Sequence, residues 1–368
     1  MKVVVAMSGG VDSSVAAMLL RDQGHEILGV FLRNGIDHPE RRGAHHGCCS
    51  AVDACDAEEV ASILGVPFYS IDSRRSFASI IQSFVDDYSV GLTPNPCVLC
   101  NRDLKFGELL EFALAMGAWG VATGHYARCG ASRDGRLELR RGLDRRKDQS
   151  YVLAMVHRES LLRSLFPLGE LLKEQVREIA RQAGLPTHNK RESQEICFVP
   201  SGDHRDILRE HRPRSFRKGD IRRTDGTILG EHDGAIGCTV GQRHGLRLGG
   251  TGPYYVLSTA PESNEVVVGR KEELLQRECS LDSLCELAPP LELGGNCQIQ
   301  LRAHHVPCAA MVVRRSGDSL LLRLEGPGEV LTPGQYGVVY RGDRVMAAGR
   351  IHPRRTRKDL QSPSLNSR

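Results

Sequence analysis

The sequence predicts an α/β domain built on an open parallel sheet, followed by a small central β-rich domain and a C-terminal β-barrel. Two observations carry this. Up to residue 201, short apolar β-branched runs alternate with segments of helical periodicity, the pattern of strands crossed over by helices. From residue 202 the texture changes to short runs separated by glycines, as in small β-barrels. The expected divisions are 1–201, 202–274 and 275–352, with a basic and disordered tail over 353–368.

The chain opens on Lys2-Val3-Val4-Val5-Ala6-Met7, an apolar strand. Ser8-Gly9-Gly10-Val11-Asp12-Ser13-Ser14 follows, and 15–23 has helical spacing before Gly24. Adjacent glycines let a backbone turn tightly and approach a ligand closely. Their N–H groups and the start of the next helix then form a nest for an anion, most often phosphate. Ser8, Ser13 and Ser14 add hydroxyl donors. Asp12 suits a helix cap better than the alternative, a hold on magnesium against phosphates. No Gly-Lys-Ser/Thr occurs anywhere, which excludes a P-loop. The loop resembles instead that of the ATP-pyrophosphatase (PP-loop) superfamily, which splits ATP between its α and β phosphates and transfers AMP to a carbonyl or amide oxygen.

A second strand is expected over 26–32. The polar segment 34–50 holds His38, His45, His46, Cys48 and Cys49, without the paired spacing of a zinc finger; a mobile loop over the nucleotide is the better reading, a metal site the alternative. Helices over 51–64 and 73–90 flank a strand over 68–71. Gly91 to Asn101 then carries two prolines and two asparagines, a rigid irregular loop before a helix over 102–116. Cys100 thus stands at or next to a helix N-terminus, where the dipole favours thiolate. A strand over 119–123 ends in Gly124-His125-Tyr126, 136–141 reads as half of a hairpin, and 170–183 as a helix closed by Gly184 and Pro186. Cys197 lies in the short segment Ser193-Gln194-Glu195-Ile196-Cys197-Phe198. Two cysteines in one cleft can exchange sulfur through a disulfide. Strands are expected over 221–229, 236–240, 254–259 and 265–268. The last set is 298–302, 309–313, 319–324, 337–340 and 344–348.

Composition is that of a globular protein, 40% apolar and 26% charged, and no apolar run approaches a membrane span. With the chain opening on a core strand, no signal peptide and a cytoplasmic location are expected. Net charge is only +4, yet Arg140-Arg141, Arg145 to Lys147, Arg212 to Lys218, Arg222-Arg223 and Arg354 to Lys358 are local basic clusters, suited to phosphates along an extended ligand or to plain solvated surface. Twelve cysteines scattered through a long chain do not read as a disulfide framework, and Cys238, Cys279, Cys285 and Cys308 read as small buried apolar residues.

Taken together, the loop, Leu92-Thr93-Pro94-Asn95-Pro96 with Cys100-Asn101, Thr123-Gly124-His125-Tyr126, Lys147-Asp148-Gln149-Ser150-Tyr151, Ser193 to Phe198 and Gly241-Gln242-Arg243 resemble the bacterial tRNA-specific 2-thiouridylases. That family makes the 2-thio group of the wobble uridine. The resemblance implies that Ala6, Met7, Ser8, Gly9, Gly10, Val11, Asp12 and Ser13, with Leu32 and Gly124, surround ATP and its Mg2+. It implies Cys100 as nucleophile and Cys197 as persulfide carrier. Asn95, Pro96 and Cys97 would meet the target base, and His125, Lys147, Asp148, Gln149, Arg302, Ala303 and Gln335 would touch tRNA. Lysine, glutamate and glutamine tRNAs, and a sulfur carrier or cysteine desulfurase, are the implied partners.

Two positions depart from the family's pattern. Cys97 stands where aspartate is frequent and Ala303 where an aromatic is frequent, which puts proton transfer at one and base stacking at the other in question. Cys97, Cys100 and Cys197 also suggest thiolate ligands for an iron–sulfur cluster. An amine-using PP-loop ligase is the alternative enzyme, one that needs neither Cys100 nor Cys197. A non-catalytic, metal-bound RNA-binding protein is the alternative of another class, and the intact loop speaks against it.

Overall fold

The computed structural model describes residues 1–35, 51–132, 135–191, 196–199, 202–249 and 252–352. The expected readings for His38, His45, His46, Cys48 and Cys49, for Ser193-Gln194-Glu195 and for the basic tail lie outside the described residues. Among the described residues no helix is long and apolar enough to cross a membrane.

The first unit runs β1 (Lys2–Ala6), α1 (Val11–Asp22), β2 (Glu26–Arg33), α2 (Ala51–Leu64), β3 (Phe68–Asp72) and α3 (Arg74–Ser89). It continues with α4 (Pro96–Leu99), a π-helical stretch over Cys100–Glu108, α5 (Leu109–Ala115) and β4 (Gly120–Ala122). A hairpin β5 (Ala127–Ala131) and β6 (Leu137–Arg141) follows, then α6 (Ser150–Leu153), α7 (Arg158–Leu161), β7 (Ser164–Leu165) and α8 (Lys173–Gln182). Five strands form the expected parallel sheet in the order β3-β2-β1-β4-β7.

Strand alternation explains why the sheet is covered on both faces. Val4 packs on one side with Val98, Phe106 and Leu109, while Val3 and Val5 face the other with Val15, Val60 and Val176 from α1, α2 and α8. All three valines are fully buried, which fixes the register of the strand that leads into the glycine loop.

After α9 (His204–His211), the central unit is a four-stranded sheet of β8 (Gly219–Arg223), β9 (Ile228–His232), β10 (Tyr255–Ala260) and β11 (Glu265–Gly269), ordered β10-β11-β8-β9. The single strand expected over 221–229 is instead the β8–β9 hairpin. Asp225 accepts from the Thr227 N–H at 3.0 Å and Gly226 takes a φ of +86°, so the chain turns there. The strand expected over 236–240 is not formed. Gly234, at φ +143°, opens a 3-10 turn over Ala235–Gly237 that buries Ala235 and Ile236.

The last unit holds β12 (Leu275–Gln276), β13 (Glu278–Glu286), β14 (Asn296–Gln300), β15 (Cys308–Ser316), β16 (Ser319–Leu324), β17 (Glu329–Val330), β18 (Tyr336–Arg341) and β19 (Arg344–Ile351). Strands β13-β16-β15-β14-β18-β19 close into a barrel because β13 also pairs with β19. β13 was not among the expected strands, since its alternation is interrupted where Ser283 takes φ +51° and the register slips. The barrel is also joined to the first unit: β6 pairs with β19 at Arg140 and Arg344, and Tyr336, Val338, Tyr340 and Val345 share a core with Leu137, Leu139 and Tyr151.

Candidate active site

β1 points its carboxyl end at the glycine loop, where ligands bind in open α/β sheets. Met7 N still donates to Val30 O at 2.8 Å, so the sheet holds the loop's first residue. The chain then turns at Gly9, φ +69°, where a Cβ would overlap the Asp53 carbonyl of α2. Gly10 is the N-cap of α1, and Ser13 and Ser14 hydroxyls donate to its carbonyl at 3.1 and 2.9 Å. Ser8 N donates to Ser13 Oγ at 3.1 Å. Gly124, just past β4, lies against the first turn of α1: a Cβ there would sit 2.7 Å from Asp12 C and 2.8 Å from Ser13 N. Leu32 is half-buried near the end of β2. Strand, loop and helix are therefore packed tightly together from Met7 to Ser14.

Asp12 does not cap the helix, contrary to expectation. It is the second helical residue, and its carboxylate turns to Lys173, whose Nζ donates to both oxygens at 2.7 and 2.8 Å. Tyr126 OH donates to the same carboxylate at 2.7 Å. A second lysine reaches the loop from the other side. Lys190 Nζ donates to Gly9 O at 2.9 Å and to the carboxylates of Asp53 and Asp56. Burial opposes its charge, but the bonds to the two aspartates outweigh that and raise its pKa above the ordinary lysine value. Neither lysine was singled out from the sequence, because each is far from the loop along the chain and neither sits in a recognisable pattern.

The cysteines lie on another wall of the same unit. Helix begins at Pro96, with Asn95 as N-cap, so Cys100 is the fifth helical residue and not at the N-terminus. It is Cys97 that occupies the first turn, exposed, one helical turn from Cys100 on the same face. Cys100 and Cys197 are both partly buried against one apolar cluster that includes Phe77, Phe84, Leu104 and Phe198. Phe198 makes edge contacts with Phe77 and Phe84 of α3 at 5.8 and 5.2 Å, and this anchors the Cys197 segment beside the helix that carries Cys100. Among the described residues, however, no group of three or more His, Cys, Asp or Glu side chains is placed to hold a metal ion. That concerns a single bound ion; Cys100 and Cys197 share one apolar cluster, with Cys97 one helical turn from Cys100.

Family models described as "tRNA methyl transferase HUP domain", "tRNA methyl transferase PRC-barrel domain" and "Aminomethyltransferase beta-barrel domain" match residues 1–201, 205–270 and 279–351. The chain is 45% identical over 353 residues to the tRNA-specific 2-thiouridylase MnmA of Chloroflexus aggregans, covering 95% of this chain and 98% of that protein. The chain belongs to the tRNA-specific 2-thiouridylase family. The family member of Carboxydothermus hydrogenoformans is 44% identical over 357 residues, covering 96% and 98% of the two chains. Among solved structures, a 4-thiouridine synthetase in complex with RNA and bound ATP covers 58% of this chain and 50% of that chain. Its 17% identity and TM-score of 0.36 are too low to bear on function.

In this 2-thiouridylase-family chain, several residues implied as tRNA contacts hold the protein's own loops. Asp148 accepts from Gly142 N, Ser150 N and Ser150 Oγ, each at 3.0 Å. Gln149 Oε1 accepts from Tyr126 N at 2.9 Å. His125 is buried between Phe106 and Phe166, and Thr123 Oγ1 lies 2.7 Å from its Nδ1. Burial, with Lys105 adding to it, pushes the His125 pKa well below the ordinary histidine value. Gln335 gives its amide to Thr93 O and Pro94 O, both at 3.0 Å. Lys147 is half-exposed and Arg302 exposed, whereas Ala303 packs partly against the shared core. Members of the expected basic clusters are largely paired locally: Arg140 with Glu138, Arg145 with Asp343, Arg212 with Asp86 and Arg222 with Asp220. Such exposed pairs are weak, so a polyanion can compete for these arginines.

Proposed function

We propose that this chain is an ATP-dependent tRNA uridine 2-sulfurtransferase that converts the wobble uridine to 2-thiouridine with release of AMP and pyrophosphate. The observation that carries the reading is the placement of Cys100 and Cys197 on one apolar cluster, in a unit whose first strand opens onto the glycine loop. A uracil C2 carbonyl is a poor electrophile because its oxygen is a hopeless leaving group. The oxygen therefore attacks the α-phosphorus of ATP, the α–β bridge breaks, and pyrophosphate departs into the nest of Ser8 to Ser13. Magnesium enters with the nucleotide as part of the substrate. Ala6, Met7, Leu32 and Gly124 complete the nucleotide site.

Sulfur arrives as a persulfide on Cys197 from a sulfur carrier or cysteine desulfurase. In one route the Cys100 thiolate attacks Cys197 Sγ, a Cys100–Cys197 disulfide forms, and hydrosulfide leaves to attack C2 and expel AMP. In the other the terminal sulfur attacks C2 first and expels AMP, and the Cys100 thiolate then attacks Cys197 Sγ of the mixed disulfide, releasing the 2-thiouridine sulfur. Both leave the same protein disulfide, which a thiol reductant restores. The base must leave its stack to be reached, with Asn95, Pro96 and Cys97 receiving it. Lysine, glutamate and glutamine tRNAs are the substrates.

The test is nucleoside mass analysis of unmodified tRNA after incubation with protein, ATP, magnesium and a persulfide donor, in parallel with Cys100→Ser and Cys197→Ser. Thiolated uridine and AMP with the wild type, and no thiolated uridine with either variant, supports the mechanism. AMP without any thiolated base points instead to a ligase using an amine.

A further inference from the structure

The loop that leads into α4 sits where all three units meet. Pro94 and Pro96 lack N–H groups, and this segment pairs with no strand, so its carbonyls depend on donors from elsewhere. Gln335, just before β18, supplies them: one amide group donates to Thr93 O and Pro94 O, both at 3.0 Å. The neighbouring barrel residues complete the grip. Thr93 N donates to Pro333 O at 2.8 Å, and Gly334, φ +90°, lies so close that a Cβ would stand 2.7 Å from Thr93 N. Arg350 of β19 pairs with Asp87 at 2.5 Å, and the Asp87 carbonyl accepts from Leu92 N at 2.9 Å. On the opposite side Gly91, φ +77°, faces the central unit, where a Cβ would stand 2.8 Å from Thr259 O.

We propose that Gln335 is a positioning residue: from the barrel it fixes the Thr93-Pro94 backbone and so sets the placement of Asn95, Pro96, Cys97 and Cys100. This rests on the proposed thiolation for what those residues do. An amide whose N–H groups are committed to two protein carbonyls is saturated as a donor, so any meeting with tRNA is left to its Oε1 as an acceptor. Losing it leaves two carbonyls short of a partner and lets the N-terminus of α4 drift, and displacement of reacting groups by a fraction of an ångström costs rate rather than substrate affinity.

Gln335→Ala and the isosteric Gln335→Glu, which sets an acceptor against two acceptors, are compared with Arg314→Ala, an exposed substitution on β15 of the barrel. Two quantities are read: kcat and tRNA KM for 2-thiouridine formation, and the rate of Cys97 alkylation by iodoacetamide without tRNA. Both Gln335 variants are expected to lose about tenfold or more in kcat with tRNA KM within about twofold, and to alkylate faster at Cys97. Arg314→Ala leaves kcat, tRNA KM and the alkylation rate unchanged. A rise in tRNA KM with kcat and alkylation intact would make Gln335 a tRNA contact and overturn the proposal, as would unchanged values throughout. If the wild type forms no thiolated base, the functional reading fails by itself, and the alkylation rates still decide what Gln335 does.

Discussion

Alkylation of the native protein at pH 8 is expected to sort its cysteines into two groups, and the separation can be worked out. Burial pushes Cys238 and Cys285 up to about 11, with Arg205 and Arg102 respectively pulling back, and pushes Cys129 up to about 12. A thiol at about 11 is about a hundredfold less ionised at pH 8 than one at the ordinary 9.0. The more basic thiolate is a better nucleophile and recovers about tenfold of this, so ionisation alone leaves a deficit of about tenfold. For Cys129 the same reasoning leaves about thirtyfold. Poor access at these partly buried positions adds to both. Cys55 and Cys97, which are exposed, form the fast group. The assay is a time course with iodoacetamide followed by peptide mass analysis of each cysteine. Should Cys238 and Cys285 react within about threefold of Cys97, the reasoning that burial silences the thiols outside the site would fail.

Other perturbations bear on the loop and on pH. Gly124→Ala places a methyl group against the backbone of Asp12 and Ser13 and is expected to weaken ATP binding about tenfold or more, measured by calorimetric titration; unchanged affinity would refute the close packing. Lys173→Met removes both ammonium bonds to Asp12. Because about a third of the Asp12 side chain stays exposed and Tyr126 still donates to it, the cost is about 1–3 kcal/mol, read as a lower melting midpoint. His125 is held neutral by burial, so the unfolded chain binds a proton that the fold refuses once pH drops below about 6.5. This group should then cost up to about 1.4 kcal/mol of stability per pH unit on acidification until its folded pKa is reached. His204 and His232, also held down by burial, add to the slope, and His125→Gln makes it shallower in melting curves between pH 7.5 and 5.

Much of the architecture was legible in the chain because local pattern and tertiary demand agree there. The three valines of β1, the Gly9-Gly10 turn and the strand–helix alternation after it are forced by periodicity and backbone freedom. The misreadings come from places where a local signal competes with another. Pro96 read as loop although proline is favoured in the first turn of a helix, and this displaced the helix start past Cys100. Ile236 looked like strand, yet the flanking Gly234 turn buries it without pairing. At the site, the glycines were legible and the lysines were not. Lys173 and Lys190 act through partners more than a hundred residues away, and nothing in their own neighbourhood marks them.

The β5–β6 hairpin has a consequence for how the chain is made. Leu137 and Leu139 are fully buried in a core shared with β18 and β19, and β6 pairs with Arg344, about 200 residues downstream. On a translating ribosome the hairpin emerges about 10–40 s before the strands that cover it. Throughout that interval its apolar face and its unpaired edge stand open, which is the setting in which strands find wrong partners. The join between the barrel and the first unit is thus also where a nascent chain has a long wait, and where a chaperone contact would help.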